Sequence, residues 1–158
     1  MRFIAAVTVA AVLFLTPVDG MAQGIDHLKG LTSVDPRVYV TWDDRITLKT
    51  ESQFERQAET ALELGLLRAG LRVDTTAPNF LNCEVVVIVS DLEKQGNSVS
   101  YAWSVAFRER LFRAGEGVWA DTWSTMGVVT VGINNLDGET LGESCSEEFE
   151  LAWRRANN

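Results

Sequence analysis

The sequence predicts an α+β fold: a two-layer sandwich in which a mixed, mainly antiparallel sheet carries two helices on one face. Three observations predict it. Val99 to Phe107 alternates strictly, with Tyr101, Trp103, Val105 and Phe107 on one side and Ser100, Ala102, Ser104 and Ala106 on the other, which is the period of a half-buried strand. Two apolar stripes fall at helical spacing: Phe54, Ala58, Ala61, Leu62, Gly65 and Ala69, and later Leu141, Cys145, Phe149, Ala152, Trp153 and Ala156. The order strand, helix, strand, three-strand meander, helix suits two layers closing on one core.

Residues 1–22 read as a signal peptide, with Arg2 at the positive start, an apolar run from Phe3 to Leu15, and small residues at Gly20 and Ala22. Cleavage is expected after Ala22, with export to the periplasm or beyond. The apolar run is too short to span a bilayer, and no second such run follows. Residues 23–36, which hold the only histidine, His27, are expected to form an amino-terminal arm or a short first element, held loosely. Residues 37–158 are expected to form one domain.

Within that domain Arg37–Trp42 is a first strand. A helix opens near Thr50, where both Thr50-Glu-Ser-Gln53 and Ser52-Gln-Phe-Glu55 fit a capping box, and it ends at Gly70. Gly65, inside the apolar stripe, implies a close backbone approach to the sheet. Leu71–Asp74 is a second strand, parallel to the first through a right-handed crossover. Cys83–Leu92 has a β-branched centre, Val85 to Val89, and reads as a central strand. After the alternating strand come a hairpin and Val118–Thr125. Met126-Gly127 is read as a bulge, with Val128–Ile133 as a continuation or a separate edge strand. The last helix spans about Thr140 to Ala156.

Two tight turns set the expected register. A hairpin at Gly115-Glu116 places Arg110 opposite Asp121 and Arg108 opposite Trp123. A turn at Gly96-Asn97 places Ile88 opposite Val105 and Glu84 opposite Glu109. The aromatic side is then core, because burying two unpartnered arginines costs on the order of several kcal/mol. The other side exposes Val85, Val87 and Val89, flanked by Arg108, Arg110, Trp119, Asp121 and Trp123, and these eight residues are the expected binding face. One observation conflicts. Cys83 shares its side with Val85, so a disulfide to a core-facing Cys145 would draw a helix onto the face left open.

The formal charge is −8, and removing residues 1–22 takes away Arg2 and Asp19 and leaves it at −8. Such a chain lacks the basic surface that nucleic acid or anionic lipid requires. In an exported chain the isolated pair Cys83 and Cys145 is expected to be a disulfide. One histidine and two distant cysteines make no zinc site, and nothing in the spacing calls for a cofactor. The same shortage removes Ser-His and Cys-His nucleophilic machinery from the folded body. Carboxylate pairs, Asp43 with Asp44 or Glu84 with Glu109, remain the route to an alternative reading as a small hydrolase. Glu51, Glu55, Glu59 and Glu63 recur every four residues and read as a solvated helix face. Of the five tryptophans, Trp42, Trp103 and Trp153 are assigned to the core, while the others support a second alternative, a sugar- or peptide-binding face.

The stretch Leu-Arg-Ala-Gly-Leu-Arg-Val (67–73), closing the crossover helix, together with the element order, resembles the small periplasmic α/β domains at the amino terminus of the Tol-Pal translocation protein and in the lipopolysaccharide-assembly lipoproteins. The resemblance implies an assembly or interaction module without catalysis. The chain departs from the second family in having no cysteine at the expected cleavage point. The sequence therefore leads to an exported binding or envelope-assembly module whose open sheet face meets a protein partner or a second copy.

Overall fold

The computed structural model describes residues 24–43, 51–89, 98–132 and 135–158. The expected signal peptide, the Thr50 cap, Asp44 and the Gly96-Asn97 turn lie outside them.

A short 3-10 helix, Ile25–Leu28, leads into strand β1, Ser33–Trp42. Helix α1 spans Glu51–Ala69 and is followed by the two-residue strand β2, Arg72–Val73. Strands β3, Phe80–Val89, β4, Ser98–Arg113, and β5, Glu116–Gly132, form the meander. Helix α2, Gly138–Asn157, ends the chain. The sheet has five strands in the order β2-β1-β3-β4-β5, with β2, β1 and β3 parallel and the last two pairings antiparallel. The architecture is the α+β sandwich that the sequence predicts.

The core lies between the sheet and the two helices. Leu81, Cys83, Val85 and Val87 of β3 and Val99, Val105 and Phe107 of β4 meet Phe54, Leu62 and Leu66 of α1 and Leu141, Cys145 and Phe149 of α2. Both helical stripes are as expected, and the aromatic side of β4 is the core side. Phe149 packs against Phe107 and Trp123 at 6.0 and 5.6 Å between ring centroids. The amino-terminal segment is bound in rather than loose, since Leu28 and Val34 are fully buried and Trp153 Nε1 donates to the Leu31 carbonyl at 3.0 Å. Cys83 and Cys145 form a disulfide with Cα atoms 6.1 Å apart, joining β3 to α2 through the core.

Gly65 makes the close approach its position implies, but to α2 and not to the sheet. A Cβ there would lie 2.4 Å from Ser146 Cβ, and one on Gly142 would lie 2.2 Å from the Ala58 carbonyl. Glycine and serine at four-residue intervals on α2 let the two backbones come together, so the helices pack on each other as well as on the sheet.

Two registers differ from expectation. The β4–β5 loop is Ala114-Gly115, both at positive φ (52° and 87°), so the turn has the type I′ sign pattern one residue earlier than read. Arg113 then pairs with Glu116, and Arg110 with Trp119. Further along, the ladder shifts between Phe107 and Arg108, so Phe107 pairs with Trp123 while Arg108 pairs with Asp121. Thr122 is the extra residue. The bulge lies there and not at Met126-Gly127, and β5 runs on unbroken to Gly132. In the β3–β4 pair, Val85 faces Trp103 and Cys83 faces Val105. This is an odd shift from the expected pairing, and an odd shift sends every side chain of β3 to the other face.

Candidate functional site: the open sheet face

The corrected registers decide which residues make the face away from the helices. Val85, Val87 and Trp123, expected on the open face, are instead in the core, each at most 5% exposed. Val89 pairs with Val99 at the end of β3. The strip that faces outward on β3 is the complementary set, Glu84, Val86 and Ile88. Cys83 therefore belongs to the core side, and the conflict between the disulfide and the aromatic face disappears.

Reading across the sheet, Tyr39, Glu84, Ser104 and Met126 form one row, and Thr41, Val86, Ala102 and Val128 the next. Beyond them Ile88, Ser100 and Thr130 form a third, in which the Ser100 and Thr130 hydroxyls are 2.9 Å apart. The apolar members are open to solvent: Tyr39 49%, Val86 43%, Ile88 48%, Met126 79% and Val128 74%. Exposed apolar side chains scattered singly are ordinary, whereas a contiguous set on one face marks an interaction surface. Alternation puts them there, because the small residues of β4 (Ser100, Ala102, Ser104) lie between β3 and β5 and leave the larger neighbours uncovered.

A charged and aromatic cluster closes one end of this strip. Asp35, Phe80, Arg108 and Asp121 occupy successive strands in one row. Arg108 donates to both carboxylate oxygens of Asp121, at 2.6 and 3.0 Å, and Arg37 donates twice to Asp35 Oδ2, at 3.0 and 2.8 Å. These bonds hold both guanidiniums above their ordinary pKa. Arg37 also lies 4.2 Å over the Phe80 ring, which Arg108 approaches at 5.8 Å and Trp119 meets at 4.9 Å between centroids. Of the expected binding residues, Arg108, Arg110, Trp119 and Asp121 are thus brought together, with Phe80 and Arg37 added. The sequence signal for Phe80 was weak, because it opens β3 directly after a Pro-containing loop.

From Glu109 to Ala120 the β4–β5 hairpin has no β3 beside it, since β3 begins at Phe80 opposite Arg108. This projecting ribbon exposes Leu111, Phe112, Val118 and Trp119. Arg110 sits 5.6 Å over the Phe112 ring. Where the ribbon leaves the sheet, His27 Nδ1 lies 2.9 Å from Glu109 Oε2, tying the 3-10 helix to β4.

The carboxylate pairing that supported a hydrolase does not form. Glu84 faces Ser104 and Glu109 faces Ala120, on opposite faces of the sheet. A cleft of about 470 Å³ between the outer faces of α1 and α2 holds one acid, Glu139, beside Gln53, Arg56 and Gln57. A second, of about 460 Å³, lies beside His27 and Asp121. Among the described residues no group of three or more His, Cys, Asp or Glu side chains could hold a metal ion, and no helix is long and apolar enough to cross a membrane.

No family model matches the chain, and no curated protein shows significant similarity to it. Solved structures resemble it at low identity. An uncharacterised protein is 12% identical with a TM-score of 0.44, covering 80% of this chain and 92% of its own. A PelC dodecamer from Paraburkholderia phytofirmans is 15% identical with a TM-score of 0.40, over 78% and 91% of the two chains. A minor lipoprotein from Acinetobacter baumannii is 12% identical with a TM-score of 0.33, over 75% and 94%. Similarities of this size assign neither a family nor a function.

Proposed function

We propose that this chain is an exported, non-enzymatic binding or envelope-assembly module that presents its open sheet face to a protein partner. The observation that carries the reading is the exposed strip of Tyr39, Val86, Ile88, Met126 and Val128 on the sheet face turned away from the helices. An apolar strip closed at one end by hydrogen-bonded charges has features of a protein–protein interface. Arg37, Arg108, Asp35 and Asp121 supply that charged end, and Phe80 and Trp119 supply aromatic anchors of the kind that dominate binding energy. The core disulfide suits an oxidising compartment, which agrees with the leader-like residues 1–22. The resemblance of the element order to the Tol-Pal and lipopolysaccharide-assembly domains is in keeping with the same kind of role.

The test is site-specific photocrosslinking in the native envelope. A crosslinker at Val86 or Ile88 is expected to give a discrete protein adduct, whereas one at Leu64 on the outer side of α1 gives none. Trp119→Ala should abolish the Val86 adduct without changing the melting temperature. An adduct pattern confined to α1, or a Val86 adduct indifferent to Trp119→Ala, would overturn the assignment of the face.

A further inference from the structure

We infer that Met126 is a sulfoxidation site, at which a hydroperoxide converts the thioether to a sulfoxide and so turns part of the open apolar strip polar. The effect of that oxidation on a partner rests on the open-face reading, to which it adds a means of regulation. Met126 is 79% exposed, more than any other large apolar side chain among the described residues. The chain has three methionines, and Met1 and Met21 fall in the expected leader, so the exported chain carries one. Its other sulfur atoms are those of Cys83 and Cys145, which are joined to each other and fully buried in the core. An oxidant in the surrounding medium therefore meets a single open sulfur.

The sheet keeps that sulfur open. Met126 lies on the outer strand β5 and pairs with Ser104 of β4, whose side chain is too short to lean over a thioether. Along β5, Thr125 is buried on the core side and Gly127 has no side chain. A side chain at 127 could not be added to shield its neighbour, because a Cβ there would lie 2.6 Å from the Trp103 ring.

The step needs only the oxidant. The sulfur lone pair attacks the terminal oxygen of the hydroperoxide, an S–O bond forms and the O–O bond breaks. The hydroperoxide proton passes to the departing oxygen, which leaves as an alcohol or as water. Sulfur gives up two electrons and the peroxide takes them. A flexible apolar side chain becomes a polar one with an S=O acceptor. On the free face water satisfies that oxygen. Against the apolar surface of a partner it is left unpaired, and a buried unpaired acceptor costs enough to weaken association by about tenfold. The fold is spared, because the Met126 side chain is in solvent and not in the core. Oxidation thus acts on association and not on stability, which is the separation a redox-sensitive switch requires.

Hydrogen peroxide applied to the exported chain, residues 23–158, is expected to add one oxygen atom, placed at Met126 by peptide mass mapping, with no change in melting temperature. The oxidised chain should leave a hydrophobic-interaction column earlier than the untreated one, and Met126→Leu should show neither the added oxygen nor the shift. In the native envelope, peroxide should lower the yield of the Val86 adduct by about tenfold. In Met126→Leu the treated and untreated yields should be equal, whatever the basal yield. Oxygen added at a tryptophan while Met126 stays reduced, unchanged column retention, an adduct that survives complete oxidation, or a loss of adduct that persists in Met126→Leu each overturn the inference. A Val86 adduct absent before any treatment would sink the open-face reading instead, with mass and retention still deciding the sulfoxide, so the two readings fail separately.

Discussion

Gly65 of α1 and Ser146 of α2 are so close that a Cβ on the glycine would lie 2.1 Å from the serine Oγ. The serine hydroxyl turns back to donate to the Glu143 carbonyl at 2.9 Å, so it is held and cannot swing away without losing that bond. Gly65→Leu is therefore expected to unfold the domain or lower its stability by about 3 kcal/mol or more, as overpacking at a backbone contact does. Gly65→Ala should cost less and be partly rescued by Ser146→Gly, measured as a double-mutant cycle in urea. Leu67→Glu, on the exposed side of α1, should change the melt little. If Leu67→Glu were the more damaging change, the helical phase would be wrong.

The disulfide links β3 to α2 across 62 residues. Loop-closure arguments put the loss on Cys83→Ala with Cys145→Ala at about 4 kcal/mol, with the mechanism model-dependent. Thiol labelling of the native exported protein should find no free cysteine. Two reactive thiols would remove the cross-link from the account.

Adjacent residues on β3 provide the test of sheet orientation. Val87 is fully buried and Val86 is open to solvent. Val87→Asp should abolish cooperative unfolding, because an unpaired carboxylate in this core has no compensating partner. Val86→Asp should leave a normal melt. The reverse result would mean that the helices cover the other face.

That pair of residues also marks the limit of what the sequence discloses. Strand and helix identities, the crossover and both apolar stripes follow from periodicity and turn signals, which are local, and the cysteine pairing follows from the chain having only two cysteines. Register does not, because the position of the turn fixes it, and the pairing of Val89 with Val99 is out of step by an odd number with the one that a Gly96-Asn97 turn imposes. The hairpin misled for a related reason. Ala114 adopts φ 52°, a region alanine rarely visits, so Gly115 alone drew the turn one residue too late. The Thr122 bulge then moved Trp123 from the open face to the core. Arg108, Trp119 and Asp121 kept their face because the turn error shifted the register by two, an even number.

The last prediction concerns high pH. Tyr101 is buried in the core beneath α2, and burial, with a smaller contribution from the Asp137 carboxylate, raises its phenol above the ordinary value of 10.0. At neutral pH the phenol is uncharged whether the chain is folded or not, so it contributes no pH dependence there. Above about pH 10 the unfolded chain releases the proton while the folded one retains it, so the unfolded state gains stability and the fold weakens as pH rises. The phenolate absorbance of the folded protein should therefore show a component that titrates above the ordinary phenol range, and Tyr101→Phe should remove that late component. The same substitution should flatten the decline of the melting temperature between pH 9 and 11. An unchanged decline would place its cause elsewhere, most directly in the loss of cationic charge from lysines on a chain that already carries a formal −8.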